Sequence, residues 1–261
     1  MISQAKRYTS LKNAVTGLVF LLTAPLPTTA APPPQTTAVT AAAPVEHHAY
    51  TAIYQAVFKG FPLQATHRLE KSGNDWFFSS IASGFFGQIE ENSTFTFTSK
   101  GIVPLHYLYQ RSVLGHESEN EITYNQVDKI ASSSKGDKTY TVKLNGDELD
   151  QGTYTTAMRD DLARGINEPC YKVVDGDEIE NFCFRNLGHE TIDTALGKLD
   201  TVVLERVRKP TSPRRTRYWF APSLDYTIAK LEHQEVKNET AYSLEITYYH
   251  NDKDGASSHK K

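Results

Sequence analysis

The two cysteines of this 261-residue chain are the residues whose spacing commits most directly to chemistry. They flank a hairpin signal: Cys170-Tyr-Lys-Val-Val-Asp175, the turn pair Gly176-Asp177, then Glu178-Ile-Glu-Asn-Phe-Cys183. A two-residue loop at Gly176-Asp177 makes Asp175 face Glu178, and counting outward sets Cys170 opposite Cys183. That position is a non-hydrogen-bonded one, where α-carbons approach to about 4.5 Å, the short end of the disulfide range. A bridge there contributes about 3 kcal/mol by closing a short loop. The alternatives are two free thiols or a metal site. The nearest metal-ligating histidine in sequence is His189, and the spacing matches no zinc pattern.

Other chemistry-bearing residues do not assemble into a recognisable machine. The sequence contains no G-x-S-x-G elbow, no H-E-x-x-H pair and no phosphate-binding glycine loop. His189-Glu190 runs on into Thr-Ile-Asp, without a second histidine one helical turn later. Asp160-Asp161 is a carboxylate pair, but neighbours on a helix point about 100° apart. His47-His48 stand at the edge of a linker, where solvated side chains are the ordinary reading. No motif calls for a cofactor or a metal ion, and no catalytic residue is assigned.

Two sets of residues are suited to binding. Trp76, Phe78, Phe85, Phe86, Tyr107 and Trp219 either form the core of a curved sheet or line an apolar ligand cavity within it. Arg206, Arg208, Arg214, Arg215 and Arg217, with Lys209 and interrupted by Pro210 and Pro213, form either a charged hairpin tip or a contact for anionic lipid or glycan.

The elements that must position these residues are strands. Tyr50, Ala52, Tyr54, Ala56 and Phe58 alternate with more polar neighbours, as do Phe95 with Phe97, Leu105 with Tyr107 and Tyr109, and the run Tyr242–Tyr249. A period of two marks strands with one face on a core. Glycine-containing turns at Gly73, Gly101, Gly136, Gly146 and Gly176 separate them. One segment, Thr153 to Gly165, instead spaces Tyr154, Ala157, Met158 and Leu162 helically and ends on glycine. The expected fold is mainly β: a strongly curved antiparallel sheet or open barrel around one mid-chain helix.

The ends read differently. Lys6, Arg7 and Lys12 precede the apolar run Ala14–Leu22 and small residues at Thr28–Ala31, the order of a secretory signal over residues 1–30. The apolar run falls short of the about 20 residues a membrane-spanning helix needs, so an integral membrane protein is not expected. A Pro-, Thr- and Ala-rich linker over 31–47, one β-rich domain over 48–250 and a polar tail over 251–261 complete the expected organisation. A formal net charge of −3 argues against general nucleic-acid binding.

Several stretches resemble one family. Tyr50 to Gly84, Ile102-Val103-Pro104-Leu105, the helix TTAMRDDLARG, ALGKLDTVVLERVRK and RYWFAPSLDYTIAKLEH are similar to the domain of unknown function 3108 family of exported bacterial proteins. The most specific pieces are Gly197 leading into T-x-x-x-E-R, and Trp219-Phe-Ala-Pro222. The resemblance implies a periplasmic location and, by analogy, the curved sheet around a helix of lipoprotein carriers of the LolA and LolB type. It implies no activity. Three functions follow as expectations: non-enzymatic binding of a lipid-like or other apolar envelope component, an envelope assembly role with a protein partner through the basic hairpin, or an enzyme acting on envelope polymers or lipids. The oligomeric state is open.

Overall fold

A strongly twisted sheet of more than about ten strands rarely stays open; it curls, splits or flattens. Here fifteen strands curl. The computed structural model describes residues 45–236 and 239–253, all within one compact unit, so the expected signal segment, most of the linker and the end of the tail lie outside the described residues. In chain order the strands are β1 (Tyr50–Phe58), β2 (Phe61–Ser72), β3 (Asp75–Gly84), β4 (Gly87–Thr98), β5 (Gly101–Val113), β6 (His116–Asn125), β7 (Ile130–Lys135), β8 (Lys138–Lys143) and the short β9 (Glu148–Leu149). After helix α1 (Thr153–Ala163) come β10 (Cys170–Asp175), β11 (Glu178–Thr194), β12 (Gly197–Arg206), β13 (Arg215–Ala221), β14 (Thr227–Val236) and β15 (Glu239–Asn251).

The chain meanders from β1 to β8 in one direction and from β15 back to β9 in the other, and the two halves join where β1 pairs with β15. Every pairing is antiparallel except β9 with β10. The result is a large curved antiparallel sheet that does not close by hydrogen bonds, as the alternation in the sequence predicts. The two edge regions of the sheet, β5–β8 and β9–β11, meet through side chains. Val174 and Ile179 pack with Tyr107, Ile122, Ala131 and Val142 in a separate apolar cluster. Lys135 reaches Asp175 at 3.2 Å, and the Tyr124 hydroxyl donates to the Leu149 carbonyl at 3.2 Å.

The main core fills the concavity with inward residues of β1–β4 and β11–β14 and with the buried face of α1, including Tyr154, Met158 and Leu162. The helix stops as its sequence predicts. Gly165 adopts φ +82°, its N–H bonds the Leu162 carbonyl, and the Ile166 N–H bonds the Asp161 carbonyl. These two bonds make a Schellman motif, which needs a residue tolerant of the left-handed region at that glycine. At the other end the buried Asp150 carboxylate accepts from the Gly152 and Thr153 N–H groups and from the Ser93 hydroxyl, tying the helix start to β4. His47, placed in the linker by sequence, stacks on Phe97 with ring centroids 3.4 Å apart.

The hairpin register predicted for the cysteines is the observed one. Asp175 faces Glu178, Cys170 faces Cys183, and the two are disulfide-bonded with α-carbons 4.0 Å apart. The bridge locks the strand that carries β9 and the seam. Replacing both cysteines by serine is expected to lower the unfolding free energy by about 2–4 kcal/mol, seen in urea titration as a lower midpoint with the native secondary structure retained.

Candidate functional site

Strand register sorts the loops into two ends. Phe58 faces Phe61, Gly84 faces Gly87, Val113 faces His116 and Val236 faces Glu239, while Phe58 also faces Tyr242 and Arg215 faces Gln234. The β1–β2, β3–β4, β5–β6, β12–β13 and β14–β15 connections therefore share one end, called here the tip end. The N-terminus of β1 and the β13–β14 turn lie at the opposite, far end.

The far end is held by α1 and is polar. Arg159 donates through Nε and Nη2 to the Asp225 carbonyl, both at 3.2 Å, and its guanidinium stacks 4.2 Å over the Tyr50 ring. The Asp225 carboxylate takes Lys253 at 2.8 Å and Asn251 at 2.9 Å. These bonds fix the turn of the APSLDY segment, where Asp225 and Tyr226 both have positive φ. A cavity of about 340 Å³ opens between this turn, α1 and residues 45–48. In it Asp160 lies 3.5 Å from His47. Burial pushes the Asp160 carboxyl up to about 7 and the His47 imidazole down to about 4, so the site disfavours the charged form of each. Asp161 points elsewhere, to Arg164 and the Tyr171 hydroxyl, as adjacent helical positions require.

The tip end is built differently. Two-residue hairpin loops favour Gly, Asn or Asp, because the turns that match sheet twist place residues at positive φ. The β7–β8 and β10–β11 loops obey, with Gly136-Asp137 and Gly176-Asp177. One neighbouring hairpin does not, and the two beside it keep a glycine, Gly60 and Gly115, but carry exposed apolar residues. The β3–β4 loop is Phe85-Phe86, with Phe85 95% exposed, and Gly87 supplies the unusual backbone, its φ of +139° bringing it against the Ser112 carbonyl. The β5–β6 loop puts Leu114, 67% exposed, at φ +52°, a region apolar side chains rarely adopt. Beside the β1–β2 loop Phe61 is 47% exposed and meets Phe86 with ring centroids 4.5 Å apart. Phe58, Phe61, Leu63, Phe86, Val113 and Leu114 line an apolar groove of about 170 Å³ between these tips.

The six aromatics expected to line one cavity thus fall in separate places. Phe85 and Phe86 stand at the tip end, outside the concavity. Trp76 and Phe78 are buried in the main core, Tyr107 in the seam cluster, and Trp219 is buried with its indole N–H donating to Glu190 at 2.8 Å. The space beside Phe78, between Tyr50, Tyr54, His67 and α1, is about 10 Å³, no more than a single water requires. The physical reason is the helix, whose bulk occupies the volume a ligand would need.

The arginines also divide. Glu205 is buried and faces Arg185 on β11 and Arg217 on β13; its carboxylate binds Arg185, Arg215 and Arg217 together. These bonds hold its carboxyl below the usual range despite burial. Arg206 lies 3.2 Å over the Phe182 ring and reaches Glu180 at 3.2 Å. Arg208 donates to the Thr216 hydroxyl, and Arg214 is exposed. Glu205, Phe61 and Leu114 escaped sequence reasoning as site residues. The signal for the last was an apolar residue in a Leu-Gly turn.

In the interior, Glu91 accepts from the Tyr107 hydroxyl at 2.8 Å, and burial with the nearby Asp150 raises its carboxyl to about 7 against that bond. Asp150 is raised by burial to about 6.

An open, barrel-like antiparallel sheet plugged by one helix defines the class of protein. The family model for a protein of unknown function (DUF3108) matches residues 53–246, and the chain belongs to that family. A solved β-barrel-like protein of domain of unknown function DUF1849 from Brucella abortus is similar in fold, with a TM-score of 0.52 at 8% identity over 79% of this chain and 99% of that one. Among curated proteins none matches. Among the described residues no helix is long and apolar enough to cross a membrane.

The raised Glu91 sets a sign. The folded protein keeps this proton up to about pH 7, whereas an ordinary carboxyl releases it near 4.5. Glu91 therefore costs stability increasingly as pH rises through that window, with the full cost above it. Glu91→Gln, which keeps an oxygen acceptor for Tyr107, is expected to raise the thermal midpoint at pH 8 and leave it unchanged near pH 4, measured by calorimetry.

Proposed function

We propose that this protein is an exported binding protein of the bacterial envelope that seats its tip end on a lipid surface. The observation that carries this reading is the pair Phe85-Phe86 in a two-residue turn, with Phe85 95% exposed. Turn chemistry gives no reason for two aromatics there, and Leu114 at positive φ adds local strain without burial. Strain of this kind is retained where it serves a site. The apolar tips protrude, and a protrusion suits a deformable lipid layer better than a rigid partner cavity. Basic residues at the same end, Lys59 on the β1–β2 loop and Lys209 and Arg214 on the β12–β13 loop, complement an anionic membrane face. Apolar insertion plus basic attraction is the two-part arrangement that peripheral binding uses. The outward residues Gln55, Gln64, Arg68 and Glu70 are exposed and polar, which fits a sheet standing above the membrane and not within it. Export is supported by the signal-like N-terminus and by the disulfide, which belongs in an oxidising compartment.

Burying one Phe side chain is worth about 1.5–3 kcal/mol. The Phe85→Ser/Phe86→Ser variant is therefore expected to sediment with phosphatidylethanolamine–phosphatidylglycerol vesicles about tenfold or more less tightly than the unaltered protein. Leu114→Asn should weaken binding less while raising thermal stability, because Asn tolerates the left-handed region. Vesicle binding that ignores all three positions, or no binding by the unaltered protein, contradicts the reading.

A further inference from the structure

The far end carries a feature that a membrane-seated tip does not use. Helix α1 turns Thr156, Arg159, Asp160 and Ala163 onto the cavity of about 340 Å³, the three- and four-residue spacing of one helical face. Leu69, Phe97, Pro222 and Tyr226 form much of the remaining wall. His47 lines it too, its ring stacked on Phe97 and met edge-on by Trp76 with centroids 6.2 Å apart.

The charges around this cavity divide unequally. Arg159 is committed to the Asp225 carbonyl and the Tyr50 ring, and Lys253 to the Asp225 carboxylate. Asp160 has no such commitment. Its side chain is 13% exposed, and among the described residues the one basic group within ion-pair distance is His47, at 3.5 Å. That imidazole stays neutral near pH 7, because burial and then Arg159, Arg164 and His48 hold it down at about 4. Burial, aided by Asp161, raises the Asp160 carboxyl to about 7 against the pull of Arg159 and Arg164. His48, on the same cavity, keeps a buried Nε2 with no hydrogen-bond partner among the described residues, and the Glu46 carboxylate lies 3.7 Å from it.

A buried carboxylate is costly until a cation meets it. An anion entering here meets Asp160 and Glu46, together with cations that are already bonded. A neutral polar molecule leaves the carboxylate charge uncompensated. An ammonium supplies both the charge and three N–H donors.

We propose that this cavity binds a small primary-amine cation, with Asp160 as its counter-ion and the His47–Phe97 stack as a preformed wall. Its volume of about 340 Å³ is near the lower limit for small-molecule pockets, which suits a short diamine or an amino sugar. The site lies at the end opposite Phe85 and Phe86 and does not rest on the lipid-surface reading.

Putrescine titrated into the full chain at pH 8 should bind with one-to-one stoichiometry by calorimetry, and butanediol, its uncharged counterpart, should not bind. Asp160→Asn keeps the shape of the side chain and removes a charge that burial disfavours. The variant should therefore fold, with a thermal midpoint at pH 8 no lower than that of the unaltered protein, yet bind putrescine about tenfold or more less tightly. Asp161, whose carboxylate points to Arg164 and Tyr171, gives the control for general negative charge. Asp161→Asn should leave the affinity within about twofold. Pairing requires the ionised carboxyl, so the affinity should rise about tenfold from pH 6 to pH 8. Equal binding of butanediol, unchanged affinity in Asp160→Asn, an equal loss in Asp161→Asn, or no binding of putrescine at millimolar concentration would each overturn the proposal.

Discussion

The pairing of β1 with β15 is the constraint on which the rest of the molecule depends. It joins residues at opposite limits of the folded unit, Tyr50 with Asn251 through Phe58 with Tyr242, and makes one sheet of two meanders. Without it, two hairpin series would each expose an apolar face with nothing to cover it. With it, the sheet is long enough to curl on itself. The inward residues of β1 alternate large and small, Tyr50, Ala52, Tyr54 and Ala56, which lets the wall bend around the helix without leaving a void. The curl ends where β5–β8 meet β9–β11, through side chains and not through a backbone ladder.

Curling produces two ends with different obligations. The far end receives α1, and the helix is fastened there by Arg159 to the Asp225 turn, a contact that also fixes the last residues of β15 through Asn251 and Lys253. The tip end has no helix and must be finished by its hairpin loops. On one side those loops are ordinary polar turns. On the other they carry phenylalanines, a strained leucine and a basic loop, features that fold stability alone does not call for. The asymmetry between the ends is the physical basis for assigning lipid binding to one of them.

Local chemistry was legible in the sequence, and long-range arrangement was not. The Gly176-Asp177 turn fixed the Cys170–Cys183 register because a two-residue hairpin leaves no freedom to slip. The switch from a period of two to helical spacing at Thr153, and Gly165 at its close, marked α1 for equally local reasons. What alternation cannot show is which strands meet. Glu205 and Arg185 are separated by a whole hairpin arm, so one carboxylate gathering three arginines was invisible, and the basic cluster read as a single patch. The aromatics failed as a set for a similar reason. Trp76 and Phe85 sit on one strand and the turn that follows it, and only the folded arrangement shows the first packed against Phe97 and His47 and the second at the surface.

The central claim is that one end of the curled sheet is the lipid-binding end. Hydrogen exchange of the full chain, with and without phosphatidylglycerol-containing vesicles, tests it most directly. The account predicts slowed exchange at residues 58–61, 84–87, 113–116 and 207–214, with the 222–226 turn and α1 unchanged. Slowed exchange at the far end with the tips unaffected would contradict it.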